Sequence, residues 1–460
     1  MKRALSVILV IMMVASVFTG CSQKENKSGE DTPAVTDAAP GTESGDKTIP
    51  GEYVGFDGID PDTKAEVTIY RYYADADKVN MDAAIEKLSE KYPNLKINIE
   101  HRTDSDGTAL KTWAAVGELP DIFENTSAEA YNSLKENGDL YCLDDAIKAT
   151  GFYDLFTNGE VSQKSHTNAD GHQYSMACEV NHVFELWYNR ELFDGLGLQE
   201  PANYEEFKNC ITVLKDAGKV PIALFGAEQW PGTALYSLAC IAEGQAEGVE
   251  AVNDGKASIS DDAYVRAAQK FAEIVDLGAF GTGALSTNYQ QASEMMFNGQ
   301  AGFFASGTWF WSTIEGDGYG DIIDWCNSNV FADADKAEDV KGMCVGGKIK
   351  EMQYSVNANP PSGLDPYTVA LLLCEFEYYV RLNAAEAGNM TTVKGDFNFT
   401  GSKAYADFND SYGGFKTFTT LTGDMSNGDF VEKLGNNVEM MVSDNYGGDE
   451  FINEMIANGY

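Results

Sequence analysis

Past residue 64 the chain alternates between two spacings of apolar residues. Val67-Thr68-Ile69-Tyr70-Arg71-Tyr72-Tyr73 is a β-branched and aromatic run. Asn80 to Tyr92 follows with Ile85, Leu88 and Tyr92 on one helical face, and Pro93 stops it. Leu95, Ile97 and Ile99 then alternate as strand residues do, because successive side chains of a strand point to opposite faces. A strand, a helix and a strand at this spacing predict a right-handed βαβ unit and a parallel sheet.

The rhythm runs on. Leu110, Trp113 and Ala114 predict a helix, and Asp121-Ile122-Phe123 a short buried strand. Thr126 and Glu129 have capping-box spacing for a helix ending near Gly138. Val183 to Tyr188 and Val220 to Phe225 predict strands. Asn203 is placed to cap a helix whose Phe207, Ile211 and Leu214 share a face, with Gly218 at its end. Tyr264, Ala268, Phe271 and Val275 mark a long helix, and Asp365 to Leu382 a buried one. No internal repeat is visible. The fold class is α/β, with two open, mostly parallel sheets flanked by helices and a cleft between them.

Two lobes also follow from size. Residues 22 to about 64 are rich in Ser, Thr, Gly, Asp, Glu and Pro and have no apolar periodicity, which predicts a flexible tether. The remaining stretch exceeds the ~250–300 residues at which a single core usually splits. The N-terminus sets the compartment. Lys2 and Arg3 precede an apolar run from Ala4 to Val17, then Phe18-Thr19-Gly20-Cys21, the layout of a secretory signal. Cys21 directly after Gly20 resembles the lipobox of bacterial lipoproteins, although Phe18 stands where Leu is usual; an uncleaved membrane anchor is the alternative, and either places the body outside the cytoplasm. The expected division is 1–20 signal peptide, 21–64 tether, 65–180 first lobe completed by about 312–360, and 181–311 second lobe completed by about 361–460.

The formal net charge of −40 excludes nucleic acid and anionic lipid surfaces as partners, since such a surface repels both. Besides Cys21 there are cysteines at 142, 178, 210, 240, 326, 344 and 374, with no CxxC spacing. That is neither a zinc pattern nor a dense disulfide scaffold, and buried thiols acting as small hydrophobes are expected.

Four stretches carry a family resemblance. Pro120-Asp121-Ile122 leads, through a helix, to Gly138-Asp139-Leu140-Tyr141-Cys142-Leu143-Asp144-Asp145. Gly171 and Tyr174 precede Trp187-Tyr188-Asn189-Arg190-Glu191-Leu192-Phe193. Tyr204-Glu205-Glu206-Phe207 opens a helix. Phe297-Asn298-Gly299-Gln300-Ala301-Gly302-Phe303-Phe304 runs on to Gly307-Thr308-Trp309-Phe310-Trp311. In order and spacing the chain resembles the carbohydrate-binding extracellular solute-binding proteins of ABC importers, over residues 67 to about 315. The resemblance implies a two-lobed, hinged binding protein, a carbohydrate ligand, a membrane permease partner, a lipid anchor at Cys21, a monomer, no cofactor and no catalysis.

Sugars have apolar C–H faces and a rim of hydroxyls, so their sites pair a flat aromatic with convergent donors and acceptors. Trp309, beyond a Gly-bounded strand, is the leading candidate, a core tryptophan being the alternative; Trp311, two residues on, is expected to pack beneath, with ligand contact the second reading. Glu228 and Trp230 lie in the loop after the 220–225 strand, at the carboxyl end where open α/β sheets bind ligands. Glu179 and Asn181 stand where the chain first crosses between lobes. On the first lobe Tyr73 and Asp75 follow the opening strand, and Glu124 and Asn125 the Asp121 strand; turn and cap chemistry is the alternative for these four. Rival readings are a receptor of the same fold for a non-sugar solute, and an extracellular glycoside hydrolase. Catalytic signals are absent. Gly342 to Ile349 nearly spells a P-loop, but Ile349 stands where Ser or Thr must bind magnesium. His101, His166, His172 and His182 show no HExxH spacing, no GxSxG occurs, and 72 acidic residues make any carboxylate pair uninformative.

Overall fold

The computed structural model describes residues 56–460, apart from 74, 105–106, 126, 179–181, 349–352, 413–414 and 444–445, and the side chains of 75, 76, 412 and 424. The signal, Cys21 and most of the tether lie outside the described residues. Ten strands are described: β1 (Ala65–Arg71), β2 (Leu95–His101), β3 (Ile122–Glu124), β4 (Val183–Asn189), β5 (Val220–Ala223), β6 (Ala301–Gly307), β7 (Ile323–Trp325), β8 (Met343–Gly347), β9 (Tyr354–Val356) and β10 (Thr417–Thr419). They form two sheets, ordered β2-β1-β3-β9 and β10-β8-β4-β6-β5, with β7 also on β4.

In the first sheet β1 runs parallel to β2, with Ile69 opposite Ile99, and parallel to β3; β9 is antiparallel. The period of two decides what each face meets. Val67 and Ile69 turn toward a core shared with Met81, Ala84 and Leu88 of the Asp75–Lys91 helix and with the Pro366–Glu386 helix. Tyr70 turns the other way, against Leu110 and Trp113 of the Thr108–Val116 helix and Tyr131 and Leu134 of the Ala128–Asn137 helix. The second sheet is likewise covered on both faces. Trp187, Phe304, Phe310 and Trp311 pack on one side; Phe184, Phe207, Phe303 and the Trp230–Ala242 helix pack on the other.

Local signals explain most of these elements. Asn203 does cap its helix, its side chain accepting from the Glu206 N–H, and Gly218 follows the last turn with φ 71°. The cap before Ala128 is Ser127, accepting from the Ala130 N–H; Thr126 lies outside the described residues.

Four expectations are corrected. The second sheet is mixed, because β4 pairs antiparallel with β6, β7 and β8, whereas β5 and β10 pair parallel with their neighbours. Residues 56–64 are not tether: Phe56 and Ile59 are buried in the first core, and the Phe56 ring lies 5.6 Å from that of Tyr378. Residues 312–347 stay with the second sheet, so the return to the first lobe is β9. The Pro366–Glu386 helix then belongs to the first lobe, tied by Arg71 Nη1 to Glu377 Oε1 at 2.6 Å in the interior. A helix apolar on every side fits either sheet by pattern alone, and only its ion-pair partners reveal which.

Candidate functional site

On the second lobe the site starts at the end of β6. Thr308 is locked to β4, its N–H donating to Val183 O (2.9 Å) and its Oγ1 accepting from Val183 N (3.2 Å). Trp309 is the next residue and the N-cap of the Phe310–Gly316 helix. Its half-buried indole folds back over the backbone of Gly307, where a Cβ would sit 2.2 Å from the ring. His182 meets the same indole edge-on at 5.7 Å, with Nδ1 3.1 Å from Thr308 Oγ1.

Trp230 comes from the loop after β5 and opens the Trp230–Ala242 helix, with Pro231 in the first turn. Its indole stands 5.5 Å from that of Trp309 at 63° and rests edge-on against Phe225 and Phe184. The Trp230 Nε1–H donates to Glu228 Oε2 at 3.1 Å, which holds the exposed carboxylate beside the ring. Between them Gln229 adopts φ 58°, ψ −50°, the one positive-φ residue other than glycine among the described residues. Such conformations cost ~1–3 kcal/mol and concentrate at functional sites.

The first lobe presents Tyr72, exposed beyond the end of β1. Its N–H donates to Glu124 Oε2 (2.8 Å), which also accepts from Arg102 Nε (3.1 Å), and the Arg102 guanidinium lies 5.6 Å over the Tyr72 ring. Burial, then the carboxylates of Asp77 and Glu228, push the Tyr72 phenol above its usual range. The Glu228 carboxylate of the second lobe is thus felt by the Tyr72 phenol of the first. The Tyr289 phenol, raised chiefly by burial, also feels both. The Asp75–Lys91 helix lies against the Phe310–Gly316 helix, so the lobes meet at this edge.

The candidates of the sequence analysis thus divide. Trp309, Trp230 and Glu228 come together. Trp311 does not join them: it is 2% exposed, stacked on Tyr405 at 4.8 Å and edge-on to Trp187 at 4.9 Å. Two residues past Trp309 on a helix, it points inward to the core. Tyr73 packs against the same core as Val67 and Ile69, on the face covered by the Asp75–Lys91 and Pro366–Glu386 helices, and meets His101 edge-on at 4.7 Å; the exposed ring is its neighbour Tyr72. Glu124 is buried and positions Tyr72 and Arg102. Asn125 stitches β3 to β9, its Nδ2 donating to Gln353 O and Ser355 Oγ at 3.0 and 2.8 Å. Glu179, Asn181 and the Asp75 side chain lie outside the described residues. Tyr72, Arg102 and His182 were not among the residues expected from the sequence. Strand parity alone signals Tyr72, two residues past the buried Tyr70.

An open hollow of about 460 Å³ on the second lobe, lined by Thr282, Ser286, Gln291, Glu294 and Asn298 among others, contains neither indole. Among the described residues, the one set of three metal-type ligands is Cys142, Asp144 and His172, all half-buried. No helix of the described residues is long and apolar enough to cross a membrane.

Two α/β lobes that each present aromatic and charged groups at a shared edge define a two-lobed ligand-binding fold. The chain belongs to the bacterial extracellular solute-binding proteins, whose family model matches residues 74–325. It is 24% identical over 269 residues to an uncharacterized ABC transporter extracellular-binding protein of Pyrococcus horikoshii, a match covering 56% of this chain and 59% of that one. Among solved structures it resembles one from work on xylan utilization by Caldanaerobius polysaccharolyticus, with TM-score 0.72 and 20% identity over 86% of this chain and all of that chain. A sugar transporter from Arthrobacter chlorophenolicus with bound laminaribiose matches with TM-score 0.66 and 15% identity, over 86% of this chain and 98% of that one.

Proposed function

We propose that this protein captures a carbohydrate, an oligosaccharide, in a cleft between its two lobes and delivers it to an ABC importer permease while tethered to the membrane through a lipid on Cys21. The observation that carries the reading is the pair of indoles, Trp309 and Trp230, 5.5 Å apart, with Glu228 anchored beside them. An indole face matches the C–H face of a pyranose, and a carboxylate fixed by one oxygen leaves the other to accept from sugar hydroxyls. Tyr72 and Arg102 supply the opposing wall, and lobe closure over the ligand is the signal for the transporter. The names of the Pyrococcus and Arthrobacter relatives support the importer and the sugar.

A thermal-shift screen of sugars, amino acids, polyamines and metal chelates tests the ligand class, because a ligand that binds only the folded state raises Tm. Oligosaccharides are expected to give the shift; a shift from amino acids or polyamines alone refutes the carbohydrate reading. Cys21→Ser is expected to move the protein from the membrane to the soluble fraction, and retention on the membrane refutes the lipid anchor.

A further inference from the structure

We propose that Cys142, Asp144 and His172 form a binding site on the first lobe for a zinc-class divalent cation. Nothing in the spacing of the chain reveals it, since His172 is distant in sequence from the other two. The fold brings them together: one ligand atom from each lies within 4.8 Å of the others.

Two backbone pieces hold the set. Leu143, between Cys142 and Asp144, is fully buried in the first core, while both neighbours stay half-buried at the surface. Tyr141 N–H donates to Val356 O at 2.8 Å, which fixes the segment along β9. Opposite stands a tight turn from Thr167 to Gln173, closed by Asn168 N–H to His172 O at 2.9 Å and turned at Gly171 with φ 84°. The two pieces are clamped by Leu143 N–H to Gln173 O (2.8 Å) and by Gln173 N–H to Asp144 Oδ1 (2.9 Å). The second carboxylate oxygen, Oδ2, is left facing His172 Nδ1 at 2.7 Å. A further carboxylate, Asp170 Oδ1, accepts from the His172 N–H and steadies the turn.

The donor types choose the metal. A thiolate, an imidazole and a carboxylate suit zinc and its neighbours, whereas calcium and magnesium require several oxygen ligands. Ligand atoms around one zinc stand ~4 Å or less apart, so side-chain rotations of under an ångström close the site. Water completes the fourth position. Binding through His172 Nδ1 moves the ring proton that faces Asp144 to Nε2, and the proton of the Cys142 thiol is released to solvent. None of the seven described cysteines is in a disulfide, and six are buried; Cys142 is the one at the surface.

The test uses purified, chelator-treated protein under reducing conditions, titrated with zinc against a chromogenic competitor and checked by elemental analysis. One zinc per chain is expected, with affinity at least ~10-fold weaker in Cys142→Ser and in His172→Ala. Cobalt substitution is expected to give a thiolate-to-metal charge-transfer band that vanishes in Cys142→Ser. Should a variant fold poorly by circular dichroism, alkylation of the native wild-type protein mapped by mass spectrometry decides instead. Zinc should protect Cys142 from modification. No zinc bound, binding unchanged in Cys142→Ser, or a Cys142 equally reactive with and without zinc overturns the proposal.

Discussion

Gly307→Ala probes the cleft without touching a ligand-facing side chain. The added methyl would lie 2.2 Å from the Trp309 ring, where ordinary contact needs at least 3.4 Å. The indole must therefore withdraw by more than an ångström from the end of β6. A gap of ~0.5–1 Å already forfeits a quarter to a half of a dispersion contact, so a sugar stacked on Trp309 loses much of its partner. Truncating a central interface aromatic costs ~2 kcal/mol or more. Displacing the ring is expected to cost ~1.4 kcal/mol, a tenfold rise in Kd. Folding stability should change little, because the clash is with a half-buried side chain able to swing toward solvent. Isothermal titration with the best sugar from the screen, beside a circular-dichroism melt, reads both quantities. An affinity within twofold of wild type in a folded variant refutes the placement of Trp309 in the site.

Trp311→Ala should show the opposite split from Trp309→Ala: a loss of ~3–5 kcal/mol in stability from the emptied core, with sugar affinity preserved in whatever remains folded, read by denaturant melts and titration. Glu377→Ala removes the carboxylate that Arg71 meets at 2.6 Å in the interior and should destabilise by ~3–5 kcal/mol in urea unfolding. A cost under ~1 kcal/mol would remove the Pro366–Glu386 helix from the first-lobe core. Glu185, pushed up from 4.5 to about 8 by burial, keeps its proton in the folded chain where the unfolded chain has lost it. The stability tied to it is full below pH 4.5 and falls as pH rises through about 8. Glu185→Gln should remove that slope, matching wild type at low pH and exceeding it in stability above the folded pKa; Tm measured across pH checks this, and parallel profiles would contradict it.

The fold class and the family were legible because strand and helix periods differ and because Phe297 to Trp311 combines a glycine-bounded strand with paired indoles. The second-lobe half of the candidate site was legible for the same reason: Trp309, Trp230 and Glu228 all follow strands, and the structure brings them together. The first-lobe half was not, because Tyr72 and Tyr73 are chemically alike and only the pairing of β1 decides which faces the cleft. Lobe membership of the later chain was hidden for a related reason. The Pro366–Glu386 helix is apolar all round, and the ion pair that ties it to β1 joins Arg71 to Glu377 across most of the sequence.

The central claim is that a sugar lies between the lobes against Trp309. A crystal structure of the protein with the oligosaccharide selected by thermal shift tests it most directly. A pyranose ring should stack at van der Waals distance on Trp309, with a hydroxyl on Glu228 and Tyr72 closing from the opposite lobe. A sugar found outside the cleft, or an indole pair left bare in a saturated crystal, would contradict the account.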